Sequence, residues 1–338
     1  MRGPMKSVAG IGCLLVLAAT AGCSPSDGGS DAAAPAEKGA PPPAVTGYAP
    51  YVNATSADPN DAAGSPDVYN LAFVISSGKG CTPAWHGVQA VDDPSVTARI
   101  GKLTASGAKV RVSFGGADGK ELATTCGSAK ELAQAYGKAL DAAGAQRADF
   151  DIEGDELTDP DSVALRSEAI ALLQKERPGL EVSYTVPVMP SGLDKDTVAL
   201  LESANDHGVK VGTVNIMTMN YGESFDGDMG DYAVTAAKAA HQQLRDIFRL
   251  PGTKAWRGMA LTSMIGVNDV KGETFTLEDA EQVRDFAERQ GIAWVSMWST
   301  FRDRQCEASA DDELTECSGV EQEDGAFGRA LAGRAAKN

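Results

Sequence analysis

The sequence predicts a single (β/α)8 barrel of the TIM type, and three observations carry that prediction. After Thr46, strand-like and helix-like segments alternate about eight times. Several of the strand-like segments are flanked by apolar residues on both faces, as strands of a buried parallel sheet are. The Gly-rich phosphate loop expected after the first strand of an open doubly wound sheet does not appear. A chain of 338 residues suits one large barrel.

Strands are expected at Gly47–Asn53, Val68–Ser76, Lys109–Gly116, Ala148–Glu153, Glu181–Val188, Thr213–Tyr221, Gly258–Ile265 and Trp294–Trp298. Between them, Ser128–Ala143 reads as a helix opened by a Ser128…Glu131 capping box. Its apolar stripe is Leu132, Ala135, Tyr136, Ala139 and Leu140. Asp159 caps a second helix with Pro160 at its first position, and Val163, Ile170 and Leu173 face inward. Thr276…Asp279 opens a third, with Leu277, Ala280, Val283 and Ala287 on its stripe. Phe327–Ala336 reads as a closing helix.

The apolar share of 43% is enough for a sizeable core. Lys and Arg total 30 against 47 Asp and Glu, a net charge of −17. That balance argues against nucleic acid and against a headgroup-binding surface, and it suits a neutral or cationic substrate.

Residues 1–22 read as an export signal: Arg2 and Lys6 precede the apolar run Val8–Ala19, which is too short to span a bilayer well. Thr20-Ala21-Gly22-Cys23 resembles the lipobox of bacterial lipoproteins, with Thr20 where Leu is usual. The resemblance implies lipidation of Cys23 and attachment to the cell envelope; an ordinary secretory signal is the other reading. Residues 23–46 are Ser/Gly/Ala/Pro-rich and read as a tether, leaving 47–338 as the folded domain. Cys81, Cys126, Cys306 and Cys317 remain in that domain and permit three pairings. Local spacing favours Cys306–Cys317, and Cys81–Cys126 would then join two loops that a barrel makes neighbours. Free buried thiols are the competing reading.

The most informative segment is Ala148-Asp149-Phe150-Asp151-Ile152-Glu153-Gly154. The strand period of two puts Asp149, Asp151 and Glu153 on one face, about 6.6 Å apart in succession. Phe150 and Ile152 then point to the helix layer. Three carboxylates in a barrel interior repel one another, so at least one takes up a proton, as a general acid needs to near neutral pH. A surface acidic strand and a divalent-cation site are the competing readings.

Asp149-Phe150-Asp151-Ile152-Glu153 resembles the DxDxE core of the family 18 glycoside hydrolases, the chitinases and their relatives. Ser113-Phe114-Gly115-Gly116 resembles that family's SxGG, Met219-Asn220-Tyr221 its MxY, and Met297-Trp298-Ser299 its closing Trp. Longer stretches such as Tyr184–Pro190 and Met264–Asp269 resemble the small single-domain bacterial subgroup. The family's leading Asp-Gly is Gln146-Arg147 here, and Gly222 stands where Asp often follows MxY.

The resemblance implies substrate-assisted, retaining hydrolysis of β-1,4-linked N-acetylglucosamine polymers or oligomers. Glu153 would protonate the leaving oxygen and then activate water. Asp151 would orient the sugar's acetamido group, and Asp149 would share a proton with Asp151. Ser113, Gly115 and Gly116 are expected to leave room for a sugar ring. Met219 and Tyr221 are expected at the barrel mouth, Tyr221 with its hydroxyl towards the acetamido oxygen and Asn220 pointing away. Trp298 is expected to form a flat plate under a pyranose face. Trp85 and Tyr51 are aromatic candidates for either cleft or core. No cofactor or metal is implied, and a monomer is expected. An endo-β-N-acetylglucosaminidase acting on N-glycans and a non-catalytic glycan-binding barrel are the alternatives.

Overall fold

The computed structural model describes residues 45–307 and 314–333. The export signal, Cys23 and nearly all of the tether therefore lie outside the described residues. Eight parallel strands form the barrel. They are β1 (in two pieces, Gly47–Tyr48 and Tyr51–Asn53), β2 (Val68–Ser76), β3 (Lys109–Gly115), β4 (Arg147–Asp151), β5 (Glu181–Pro187), β6 (Val211–Met217), β7 (Met259–Met264) and β8 (Trp294–Trp298). Each strand pairs with the next, and the two pieces of β1 close the circle: Gly47 and Tyr48 pair with β8, while Tyr51–Asn53 pairs with β2.

The expected strands are all present, several of them shorter at the C-terminal end. β4 stops at Asp151 rather than Glu153, and β6 at Met217 rather than Tyr221. Those lost residues belong to the loops above the barrel, where catalytic groups of this fold sit. The helices are α1 (Pro94–Thr104), α2 (Ala129–Ala143), α3 (Asp155–Thr158), α4 (Pro160–Glu176), α5 (Lys195–Asp206), α6 (Met229–Phe248), α7 (Gly252–Arg257), α8 (Leu277–Gln290) and α9 (Ala326–Leu331). Ser128 caps α2, Asp159 caps α4, and Thr276 with Asp279 forms a reciprocal capping box on α8. The expected closing helix is shorter, ending at Leu331. Two hairpins too short to leave a periodic signal appear as well: Pro83–Trp85 with Gln89–Ala90, and Gly266–Val267 with Thr274–Phe275.

The outward faces of the strands bury an aromatic cluster under the helices. Phe114 stacks on Phe150 at 5.4 Å, and Tyr136 of α2 meets both rings. Trp85 is fully buried and donates to the Val91 carbonyl, which places it in the core and not the cleft. Buried Glu121 accepts from Arg166 at 2.8 and 3.1 Å and from Tyr136 at 2.6 Å, locking the loop after β3 onto α2 and α4.

Both expected disulfides are formed, Cys81–Cys126 and Cys306–Cys317. The first ties the loop after β2 to the loop after β3. Its partners are 45 residues apart, which the chain-entropy model converts to about 4 kcal/mol. We expect Cys126→Ser together with Cys81→Ser to lower unfolding free energy by that order in urea titrations. Unchanged midpoints would show that the bridge does not constrain the unfolded chain.

Candidate active site

The site is built from the barrel interior upward. Asp149 on β4 is 1% exposed and is surrounded by hydroxyls. Ser183 donates to it at 2.6 Å, Ser113 at 2.7 Å, Tyr51 at 2.9 Å and Thr185 at 2.9 Å. The layer continues across the barrel, with Asn215 donating to Thr185 at 3.0 Å and Thr262 donating to Asn215 at 2.9 Å. A buried carboxylate held by four hydroxyls is stabilised by charge-assisted hydrogen bonds. The expected proton sharing between Asp149 and Asp151 is corrected: the hydrogen bonds of Asp149 go to these hydroxyls, and Asp151 turns instead to Glu153.

One layer above, Asp151 and Glu153 face a cavity of about 470 Å³ at the C-terminal end of the barrel. Asp151 is 5% exposed, and its Oδ1 has no partner among the described residues. Burial raises its pKa well above the usual carboxylate range, and the neighbouring Glu153 and Asp149 add to the effect. The Glu153 pKa is raised to about 7, first by burial and then by the charges of Asp118 and Glu156, while a hydrogen bond with Asp151 opposes the rise. Glu153 also borders a second hollow of about 570 Å³ that includes Lys120, Asp155 and Glu156. It therefore stands at the boundary between two spaces.

Trp298, at the end of β8, lines the first cavity with Phe73 and Tyr51. Trp298 stacks on Phe73 at 5.4 Å with 22° between the planes, and the Tyr51 centroid lies 5.9 Å from Trp298. These rings make an apolar wall. Tyr51 was a candidate for cleft or core and serves both, its ring in the cavity wall and its hydroxyl on Asp149. Phe73 was missed, because β2 is apolar on both faces and alternation could not single it out.

Three further expectations are corrected. Ser113, Gly115 and Gly116 do not line the cavity. Ser113 holds Asp149 from below. Gly115 has φ of 101°, and a Cβ there would lie 2.1 Å from the Asp151 carbonyl oxygen. Gly116 donates its N–H to that same oxygen at 3.0 Å. Gly115 thus lets two backbones approach closely beneath the carboxylates, and Gly116 leaves space for the Phe73 ring. Met219 lines the cavity as expected, together with Met217, Met189 and Met264. Tyr221 does not: its ring packs behind the wall against Phe225 at 5.8 Å and Tyr232 at 6.1 Å. Asn220, expected to point away, lines the cavity instead. The reason is local. β6 has ended at Met217, and Asn220 takes a left-handed φ of 54°, so strand alternation no longer applies.

Solved structures and curated proteins similar to this chain are chitinases. The catalytic domain of a hyperthermophilic chitinase from Pyrococcus furiosus superposes with a TM-score of 0.75 at 30% identity, covering 86% of this chain and 96% of that one. The chain belongs to the family 18 chitinases. Within this family it also matches a probable bifunctional chitinase/lysozyme from Escherichia coli and endochitinase 11 of Metarhizium anisopliae, each 32% identical over 275 residues. This family 18 chain spans about a third and about half of the lengths of those two proteins, 31% and 52%. No family model matches the chain.

Proposed function

We propose that the protein is a chitinase that hydrolyses β-1,4-linked N-acetylglucosamine polymers or oligomers by a retaining, substrate-assisted reaction. The observation that carries this reading is Glu153, a half-buried carboxyl with its pKa raised to about 7, standing beside Asp151 at the boundary of two hollows. A glycosidic oxygen at that boundary has one sugar over the aromatic wall and the leaving sugar in the second hollow. Glu153 gives its proton to the leaving oxygen while the substrate's own acetamido oxygen attacks the anomeric carbon. The unpartnered Oδ1 of Asp151 is placed to accept the acetamido N–H. The Asp151–Glu153 pair holds one proton between them, so its transfer to the leaving oxygen leaves Asp151 negative, and that charge stabilises the cationic ring that forms. Glu153 as carboxylate then takes a proton from the water that opens that ring. Trp298, Phe73 and Tyr51 stack on the sugar face, and Asp149 anchors the layer of hydroxyls beneath Asp151. The Pyrococcus furiosus relative has been crystallised with chito-oligosaccharides, which supports this class of ligand.

The deciding experiment is a product ladder from defined chito-oligosaccharides. Retained-anomer products from them support the chitinase. Cleavage confined to N-glycan cores would make it an endo-β-N-acetylglucosaminidase, and binding without product would make it a glycan-binding barrel.

The pH profile follows from the raised Glu153. A general acid works while protonated, so kcat/KM is expected to be level below about pH 7 and to fall above it. Removing a nearby like charge eases ionisation, so Asp118→Asn is expected to shift the falling limb to lower pH. A limb that stays in place would refute this electrostatic assignment.

The export reading is proposed on the sequence alone: lipid on Cys23, a tether over residues 23–46, contact with the membrane only through that anchor, and a monomeric barrel. Mass spectrometry of the mature N-terminus tests it. An unmodified start at another residue would overturn the anchor.

A further inference from the structure

The turn after β6 is gripped by the hairpin Gly266–Val267/Thr274–Phe275 at two points. Glu273, in the hairpin's loop, is 0% exposed and accepts the Gly222 N–H on Oε1 at 2.8 Å. Burial raises this carboxyl's proton affinity, and the backbone amides of Gly222, Asn220 and Tyr221 oppose the rise. Its Oε2 has no partner of its own among the described residues. Nor does any Lys or Arg among the described residues pair with it. Successive amides converging on one anion form a nest, and here the anion is a side chain of the protein itself.

The second grip is Asp269, which accepts from Asn220 Nδ2 at 3.1 Å. That bond fixes the carboxamide's orientation, since a carboxylate can only face the NH2 end. Asn220 Oδ1 is left as an acceptor at the cavity. Asn220 takes a left-handed conformation at φ of 54°, which Asn adopts more readily than other residues with a side chain. Asp269 lines the same cavity and contributes to the field on Glu153. A buried carboxylate without a cationic partner is costly. Packing alone would be served by an apolar side chain of similar size.

We propose that Glu273 is a positioning residue: it clamps the Asn220-Tyr221-Gly222 turn so that the Asn220 carboxamide, braced by Asp269, accepts a hydrogen bond from the bound sugar. This rests on the chitinase reading above and names a part of the same site. Neither Asp269 nor Glu273 touches the reacting bond; Glu273 acts through the Asn220 turn, and Asp269 acts through Asn220 and through its charge near Glu153.

The test uses the full chain and a chito-oligosaccharide substrate. Glu273→Gln keeps the volume of the side chain and one acceptor for the Gly222 N–H, but removes the negative charge on which the amides of Gly222, Asn220 and Tyr221 converge, so the fold is kept and the clamp is weakened. Misplaced contacts at such a distance cost up to about a hundredfold. We expect kcat/KM to fall by about tenfold or more, with Tm near the parent and faster amide exchange in the peptide spanning the turn. Asn220→Ala is expected to lose a similar factor. The double variant Asn220→Ala/Glu273→Gln is expected to be no worse than Asn220→Ala alone, since Glu273 acts only through Asn220. Losses that multiply in the double variant, or an unchanged kcat/KM in Glu273→Gln, would overturn the proposal while leaving the chitinase reading intact. A parent chain inert on every chito-oligosaccharide would remove both.

Discussion

Glu153→Gln is expected to abolish turnover of chito-oligosaccharides while sparing their binding. Gln keeps the shape of Glu and its hydrogen-bonding capacity, but it cannot deliver a proton to the leaving oxygen. General acid catalysis contributes ~10²–10⁴-fold, so kcat is expected to fall by at least that factor with Kd nearly unchanged. The substrate should carry a natural sugar as leaving group. An activated aryl glycoside leaves without protonation and would hide the loss. Calorimetric titration alongside single-turnover kinetics gives both numbers. A near-normal kcat on a natural oligosaccharide would transfer the proton donor to another group and end the assignment.

Asp151→Asn is expected to lose about 10²–10³-fold in kcat, the scale of removing one preorganised electrostatic contact at a reacting centre. Asn cannot supply the negative charge that faces the cationic intermediate. Its NH2 end is also a poor partner for the acetamido N–H that the unpartnered Oδ1 is placed to accept. The loss should appear in kcat with the intermediate's formation slowed, and the chain should remain folded, because the substitution preserves volume in a buried position. Asp149→Asn serves as the contrast. That carboxylate binds hydroxyls of Ser113, Ser183, Thr185 and Tyr51. Its replacement should therefore lower Tm as well as kcat, with the smaller kinetic effect. If Asp149→Asn were kinetically worse than Asp151→Asn, the order of the two groups relative to the sugar would have to be reversed.

The barrel was legible because its signal is repeated. Each strand is a short apolar run and each helix a capped amphipathic one, and about eight repetitions of the pair leave few alternatives. The acidic ladder was legible because Asp149, Asp151 and Glu153 lie within or just beyond one strand, where period two places them. The pairing of Cys81 with Cys126, 45 residues apart, required the barrel to be assumed first, since only the fold makes those loops neighbours.

The errors have a common origin. Tyr221 and Asn220 exchanged places because both lie beyond the last residue of β6, where a single left-handed residue reverses which side chain faces the cavity. Gly115 and Gly116 read as room for a ligand, whereas Gly115 makes room for the backbone of the next strand and Gly116 for the ring of Phe73. Phe73, Asp118, Asp269 and Glu273 gave no usable signal, since each acts through neighbours contributed by a different strand–helix unit.

By itself, then, the sequence determined the architecture, the strand that carries the carboxylates and the family these residues resemble, because all three depend on local periodicity and local residue chemistry. Tertiary structure alone decided which hydroxyls hold Asp149, that Asp151 turns to Glu153, which rings make the wall beside Trp298, and that a hairpin after β7 reaches back to clamp the turn after β6. Those choices depend on atoms brought within about 3–6 Å by barrel closure. Closure joins residues whose separation along the chain carries no information about their distance in space.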